Sequence, residues 1–218
     1  YERIKQITQI GDKKIHEGLN FFNRITDTFP YLPICSILNT KIFCVHGGIT
    51  ALIDTPEKLL SIEKVGAEFT SENSVQVEFM WNDPDNDLEY CYEHSPRGIG
   101  CLFNQEALES FLKTMNFSMV IRGHQMCTDG FKYPFDEDGG IMTVFSSANY
   151  CGEYNKAAAA IVNAECKEIK DIQIQQFDPN VEKNALYIVT PPDFFLSGNA
   201  PLCPCDDQPL ENELLDIP

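Results

Sequence analysis

The chain has 218 residues, of which 43% are apolar and 11% aromatic, enough for one domain with a sizeable core. Sixteen Lys and Arg residues stand against 33 Asp and Glu residues, a formal net charge of −17 at pH 7. A chain of this charge repels polyanions, and no apolar run approaches the roughly 20 residues that span a bilayer. We therefore expect neither a nucleic-acid partner nor a membrane partner.

Cysteine usage indicates a reducing compartment. The chain has nine cysteines, an odd number, and their spacing shows no disulfide framework. We expect free thiols in a cytoplasmic protein, with the nucleus as a second location. Cys203-Pro-Cys205 is weak support for a metal site because no second pair accompanies it. The sequence begins at Tyr1 without a signal peptide, so we expect a processed chain or a piece of a longer one.

Helical patterns occur in three places. Apolar residues recur every three or four positions through residues 16–29, which predicts an amphipathic helix ended by Pro30. A second helix is predicted from Pro56, because Asp54-Thr55 before it supplies a capping side chain. A third is predicted over residues 105–114, where the leucines and Phe111 form one face.

Strand patterns accompany these helices. The β-rich runs 34–38 and 41–45 flank Asn39-Thr40 and predict a hairpin. Helices mostly in the first half and strands mostly in the second, with short connections, predict an α/β (α+β layered) domain. The later strands are predicted at residues 118–121, 130–133, 141–146, 157–162 and 169–177.

Composition changes at Asp178. The last 41 residues hold seven of the 13 prolines and eight acids against Lys183 alone. We expect residues 1–177 to form the folded domain and residues 178–218 an acidic, proline-rich tail that wraps over it and then frays.

Two of the four histidines share a sequence context. His46 follows the run 41–45 and precedes two glycines, and His124 follows the run 118–121 with an Arg-Gly between. Loops that follow strands are where α/β sheets place their ligands, and a neutral imidazole binds transition metals well. Spacing alone also allows two hydrogen-bonded structural histidines.

Three further residues are suited to phosphate chemistry. Asp83 lies in an acidic turn and is held extended by Pro84, so that it either orients a metal ligand or base or caps the turn. Arg97 lies between Pro and Gly on a turn suited to bidentate binding of a phosphate, with a surface salt bridge as the alternative. Tyr150 follows a predicted strand and is placed to donate to a phosphate oxygen, stack on a substrate or pack internally.

Five motifs follow one another in the chain: Phe43-Cys-Val-His46-Gly-Gly, Trp81-Asn-Asp-Pro-Asp85, Ser95-Pro-Arg97-Gly, Arg122-Gly-His124-Gln and Ser146-Ser-Ala-Asn-Tyr150-Cys151. In this order they resemble the phosphoprotein phosphatases, which are metal-dependent serine/threonine phosphatases with a calcineurin-like metallophosphoesterase fold. The resemblance covers residues 4–196. Lys5-Gln-Ile-Thr-Gln9 and the segments around Pro179 and Pro192 are most similar to the type-2A group of catalytic subunits, whereas Cys151-Gly-Glu-Tyr-Asn155 is closer to the type-1 branch.

The resemblance implies a β-sandwich flanked by helices and a binuclear metal centre, with manganese expected and iron or zinc as alternatives. It implies that His46 and His124 are ligands of the second metal, that Arg97 binds the substrate phosphate, that Tyr150 lines the phosphate pocket, and that Asp83 belongs to the acidic rim of the site. It further implies phosphoprotein substrates and regulatory or scaffold protein subunits as partners.

Three earlier motifs of the family are absent from this sequence: Asp-x-His, Asp-x-x-Asp-Arg-Gly and Asn-His-Glu. They hold the first metal, a second phosphate arginine and the general acid. We therefore expect a catalytic domain that is incomplete at its N-terminus and inactive on its own, because two imidazoles hold a divalent metal weakly. Ser147-Ala148 replace the usual Ala-Pro, which should loosen the Tyr150 loop by removing a fixed φ angle.

Two functions remain open at this point. Either the parent protein is a serine/threonine phosphatase, or the chain is a truncated pseudophosphatase that acts as a protein-binding module. An acidic globular domain with accidental motif matches is the least favoured interpretation, because five motifs occur in the family's order.

Overall fold

The structure, a computed structural model, describes residues 20–62 and 74–179. It contains a mixed α/β fold, as the sequence predicted. The helices are α1 at residues 20–26, α2 at Pro56–Leu60, α3 at Val75–Trp81 and α4 at Gln105–Met115.

The main sheet has five strands, ordered β1-β2-β6-β8-β7. The three strands β2, β6 and β8 are parallel, whereas β1 and β7 run antiparallel at the two edges. Parallel strands end at the same edge of a sheet, so the loops after β2, β6 and β8 emerge together. The strands are β1 Cys35–Leu38, β2 Ile42–Val45, β6 Met119–Arg122, β7 Phe131–Lys132 and β8 Ile141–Val144.

Two smaller sheets complete the strands described. One has the order β3-β5-β4, formed by Asp83–Pro84, Cys101–Phe103 and Tyr92–His94 respectively. The other is the antiparallel pair β9, Ala157–Ile161, and β10, Gln173–Phe177.

The core lies on both faces of the main sheet. The adjacent β2 residues Ile42 and Phe43 are both 0% exposed, and they belong to two different apolar clusters. Phe43 packs against Phe79 of α3 and Phe111 of α4, with ring centroids 5.5 and 5.4 Å away. Burial on both faces is what a central parallel strand requires, and it holds the end of β2 firmly in place.

Several predicted elements are confirmed. The hairpin turns at Asn39 and Thr40, whose φ angles of 49° and 60° match the twist of the strands it joins. Helix α2 begins at Pro56, with Thr55 as its N-cap accepting from the Lys58 N–H. Helix α4 buries the predicted face, including Leu108 and Phe111.

Other expectations need correction. Asp83-Pro84 is a short strand rather than an acidic turn, and Trp81 before it is the last residue of α3. The strand predicted at 169–177 begins only at Gln173, because residues Ile169–Asp171 form a 3₁₀ turn. The predicted helix 16–29 is described from residue 20 and ends at residue 26. From residue 180 onward, the predicted tail lies outside the described residues, as do Cys203 and Cys205.

The seven cysteines in the described ranges are free thiols, and Cys151 is the exposed one among them. Of the helices described, none has the length and apolarity needed to cross a bilayer.

Candidate active site

Two imidazoles meet at the carboxyl edge of the main sheet. His46 follows β2 and His124 lies two residues after β6, and the last residues of these strands, Val45 and Arg122, are register partners. The Gly123 N–H donates to the His46 carbonyl across 3.0 Å. As a result the two rings approach edge to face, with centroids 5.1 Å apart.

Gly47 allows this edge to contact α3 closely. Its N–H donates to the Phe79 carbonyl across 2.7 Å. A Cβ at Gly47 would lie 2.6 Å from the backbone carbon of Met80 and 2.7 Å from the backbone nitrogen of Trp81. The glycine after His46 is therefore required by a close backbone approach.

The His124 side chain is nearly enclosed, with 11% of its surface exposed. Its Nε2 is buried without a hydrogen-bond partner among the described residues, and it lies 4.0 Å from Asp83 Oδ2. The ring meets Trp81 edge to face at 5.3 Å. A buried polar nitrogen without a partner is unusual and calls for a ligand or a functional explanation.

Both imidazoles are neutral at pH 7. The pKa of His124 is lowered to about 4, chiefly by burial; Asp83 opposes this effect, and the positive charges of Arg122 and Arg97 add to it. Burial is also the largest cause that lowers the pKa of His46, followed by Arg122. Neutral imidazole is the form that binds a metal.

Asp83 joins two arginines. Its Oδ2 accepts a hydrogen bond of 2.9 Å from Arg97 Nε, and its Oδ1 accepts one of 2.7 Å from Arg122 Nη2. Asp83 is only 2% exposed. This corrects its expected place on an acidic rim: the carboxylate is a buried counter-ion that orients two guanidinium groups.

Arg122 is the site residue that sequence reasoning missed. Its side chain is 0% exposed, and besides Asp83 it donates to the Gly47 carbonyl and, across 2.9 Å, to Gln125 Oε1. Burial lowers its pKa to about 10, so it stays charged at pH 7. The sequence did contain a signal: Arg122 directly follows the apolar run 119–121 in a protein that is acidic overall.

Arg97 lies on the predicted turn. Its backbone N–H donates to Ser95 Oγ across 3.3 Å, and Gly98 has a φ angle of 74°. The side chain is 27% exposed. Because Nε is the nitrogen that faces Asp83, the terminal nitrogens remain the donors available to a ligand at the surface of the site.

Asn82 fixes the backbone that presents Asp83. Its side chain is fully buried, donates to the Ile49 carbonyl across 2.7 Å and accepts from the Cys101 N–H across 2.6 Å. It also donates to the buried Glu78, whose carboxylate accepts from Thr50. These bonds join the loop after His46, helix α3 and strand β5 behind the site.

Tyr150 lies in the loop that follows β8, whose carboxyl end shares an edge with those of β2 and β6. Its ring meets Phe145 edge to face at 5.3 Å, and its N–H donates to Asn155 Oδ1 across 2.8 Å. The contacts above therefore join His46, His124, Asp83 and Arg97 around Arg122, and Tyr150 lies in the loop after β8.

An open cleft of about 430 Å³ lies beside His46. It runs past Gly123 and the strand residues Cys44, Ile121 and Val144 to the edge strand β1. The walls are mainly apolar, and His46 is among the residues that line them.

Two comparisons with known proteins agree with the fold. The model of the calcineurin-like phosphoesterase family matches residues 8–127, more than half of the chain. The chain therefore belongs to the calcineurin-like phosphoesterase family. A solved structure with the same fold is a protein serine/threonine phosphatase from Saccharomyces cerevisiae, described as similar to human phosphatase PP5. The two share 23% identity and a TM-score of 0.59, over 73% of this chain and 51% of the yeast chain, so this chain spans about half of that protein's length.

Proposed function

We propose that this chain contributes to the catalytic domain of a phosphoprotein phosphatase that hydrolyses phosphoserine and phosphothreonine in proteins. The observation that carries the proposal is the site itself: two neutral imidazoles in contact, beside a buried Asp83 that orients two arginines. The five motifs in the family's order support the same assignment, and Lys5-Gln-Ile-Thr-Gln9 with the segments around Pro179 and Pro192 supports the type-2A group.

The donor set fits a transition metal. His124 Nε2 is buried without a partner among the described residues, and both imidazoles are neutral, so His46 and His124 are suited to hold one ion. Manganese is the first candidate, with iron or zinc as alternatives. When bound, divalent metals supply Lewis acidity, which makes water a nucleophile at neutral pH and withdraws charge from phosphoryl oxygens.

The two arginines are this chain's own contribution to binding and stabilising the phosphate. Asp83 fixes Arg97 through Nε, so the terminal nitrogens of Arg97 point to a bound phosphate with little freedom to reorganise. Negative charge spread over the phosphoryl oxygens is stabilised by such a preorganised guanidinium. Arg122 has no exposed side-chain surface, so it acts by holding Asp83 rather than by touching the substrate.

Further roles belong to the same proposal. Tyr150 donates a hydrogen bond to a phosphate oxygen. Regulatory or scaffold protein subunits bind the chain, which acts in the cytoplasm and the nucleus. The free thiols in the described ranges support a reducing compartment.

Metal titration tests the assignment, because Trp81 is the only tryptophan and its ring lies 5.3 Å from that of His124. Paramagnetic Mn²⁺ should quench its fluorescence saturably, and His46→Ala or His124→Ala should abolish the saturable phase. His94→Ala is the matched control, since His94 is an exposed histidine on β4. Equal quenching in all four proteins would contradict the metal site.

The pseudophosphatase is the second candidate function. In the described ranges, no group of three or more metal-binding side chains occurs, which favours a chain that binds partners without catalysis. The DNA upstream of the Tyr1 codon distinguishes the two: aspartate motifs encoded in frame favour the enzyme, and a start codon near Tyr1 favours the binding module.

A further inference from the structure

The loop between β8 and β9 has a costly backbone. Three non-glycine residues adopt left-handed conformations, with φ angles of 48° at Asn149, 52° at Cys151 and 54° at Tyr154. This conformation is unfavourable for residues other than glycine, least so for asparagine, and it persists where surrounding contacts impose it. Something in the loop therefore opposes its relaxation.

Asn155 provides that restraint. Its side chain is buried, with the residue 1% exposed, and it bonds to backbone on both sides of the loop. Its Oδ1 accepts from the Tyr150 N–H, and its Nδ2 donates to the carbonyls of Ser147 and Lys156, each across 2.8 Å. Its own carbonyl accepts from the Asn149 N–H across 2.9 Å. The side-chain amide of Asn155 therefore joins the beginning of the loop to its end.

The same restraint replaces a missing proline. Ser147-Ala148 lack the fixed φ angle that a proline would give, and we expected this loop to be loosened for that reason. The bond from Asn155 to the Ser147 carbonyl fixes this segment instead. The Lys156 N–H donates to the Thr128 carbonyl across 2.8 Å, which joins the loop to the segment that follows His124.

We propose that Asn155 is a positioning residue that holds Tyr150 in place to donate to a phosphate oxygen. This rests on the proposed function, since it requires Tyr150 to bind phosphate. Asn155 acts through the Tyr150 backbone N–H, while Phe145 fixes the ring from the side. An Asn155 variant leaves the Tyr150 side chain unchanged and alters only its position.

The test is a double-mutant cycle on phosphate binding. Calorimetry with inorganic phosphate and saturating Mn²⁺ is run on the full chain, Asn155→Ala, Tyr150→Phe and the double variant. Loss of one hydrogen bond to a charged oxygen should weaken binding about tenfold in each single variant. If Asn155 acts through Tyr150, the double variant should bind no more weakly than Tyr150→Phe alone.

Amide exchange gives a second readout that needs no ligand. The Tyr150 N–H should exchange faster in Asn155→Ala but slowly in Asn155→Asp, which keeps an accepting oxygen and serves as the variant if Asn155→Ala fails to fold. Asn163→Ala, at an exposed position in the loop after β9, is the matched control and should leave both readouts unchanged.

The outcomes separate the two claims. If the wild-type chain binds phosphate and Asn155→Ala binds it equally well, or if the two single effects multiply in the double variant, the role of Asn155 is overturned. Unchanged Tyr150 exchange in Asn155→Ala overturns it as well. A wild-type chain that binds no phosphate, with faster Tyr150 exchange in the variant, instead refutes the phosphate role of the site while the loop restraint stands.

Discussion

Asp83 accepts a 2.7 Å hydrogen bond from Arg122, a guanidinium with no exposed side-chain surface. The two lie 39 positions apart in the sequence. Water solvates neither charge well, so each charge is stabilised mainly by the other. The position of Asp83 in this pair determines where Arg97 points.

Asp83→Asn should therefore destabilise the fold strongly. It leaves the Arg122 charge buried without a counter-ion, a change that costs about 3–5 kcal/mol in comparable buried pairs. Urea unfolding followed by Trp81 fluorescence measures the loss. Asp87→Asn, at an exposed position of the neighbouring loop, is the control and should change stability by less than about 0.5 kcal/mol. Equal stability of the two variants would contradict the buried pair.

Gly47 and Gly123, which flank the two imidazoles, should respond oppositely to alanine. Gly47→Ala places a Cβ 2.6 Å from the Met80 backbone, so we expect a loss of about 1–3 kcal/mol. The Cβ of Gly123→Ala meets its nearest neighbours at 3.7 Å, an ordinary contact, so that variant should be neutral or slightly stabilised. Thermal unfolding of both proteins distinguishes them. A tolerated Gly47→Ala would show that α3 lies farther from this loop.

Stability should fall in acid because of His124. Its pKa is about 4 in the folded chain against an ordinary value of 6.5, so the unfolded chain binds the extra proton first as the pH falls. Above pH 6.5, neutral His124 makes its full contribution to the free energy of unfolding. About 3 kcal/mol of that free energy is lost on acidification to pH 4. Urea unfolding at both pH values should show a smaller loss in His124→Asn than in the wild type. Parallel losses would place the pKa of His124 near its ordinary value.

Alkylation should begin at Cys151 among the seven described cysteines. It is the exposed thiol, whereas burial raises the pKa of Cys127 and Cys166 and lowers their thiolate population. Brief iodoacetamide treatment followed by peptide mass mapping gives the order of modification. In Cys151→Ser, rapid alkylation should no longer occur at any of the described cysteines. Earlier modification of Cys127 would show that its pocket opens in solution.

The 218-residue chain should not hydrolyse p-nitrophenyl phosphate or a phosphopeptide with added Mn²⁺. The described residues offer two imidazoles to a metal, and Asp83 is occupied by arginines, so any ion is held openly and weakly. Steady-state assays across a range of Mn²⁺ concentrations test this. Robust turnover that His124→Ala abolishes would contradict the expected inactivity.

Local signals explain what the sequence predicted well. The hairpin at Asn39-Thr40, the start of α2 at Pro56 and the buried face of α4 each depend on residues within a few positions of one another. The placement of His46 and His124 after strands was predicted for the same reason, because each strand is a short apolar run that ends before a glycine.

A misleading local pattern and non-local contacts explain what was missed. Helix α3 has Val75, Val77 and Phe79 at alternate positions, which is a strand-like pattern, and it buries Gln76 and Glu78 as well, so it shows no polar face. Asp83 was expected on an acidic rim because the resemblance to the phosphatases implied that position. Its burial results from Arg97 and Arg122, which no local pattern connects to it.

The bonds of Arg122 also constrain how this corner of the protein can evolve. One guanidinium touches the Gly47 carbonyl, Asp83 and Gln125, which come from three separate segments. Substitutions among partners of one buried group do not combine additively. The Gly47 contact uses a backbone carbonyl, which any residue supplies, so we expect Asp83, Arg122 and Gln125 to be inherited as a set.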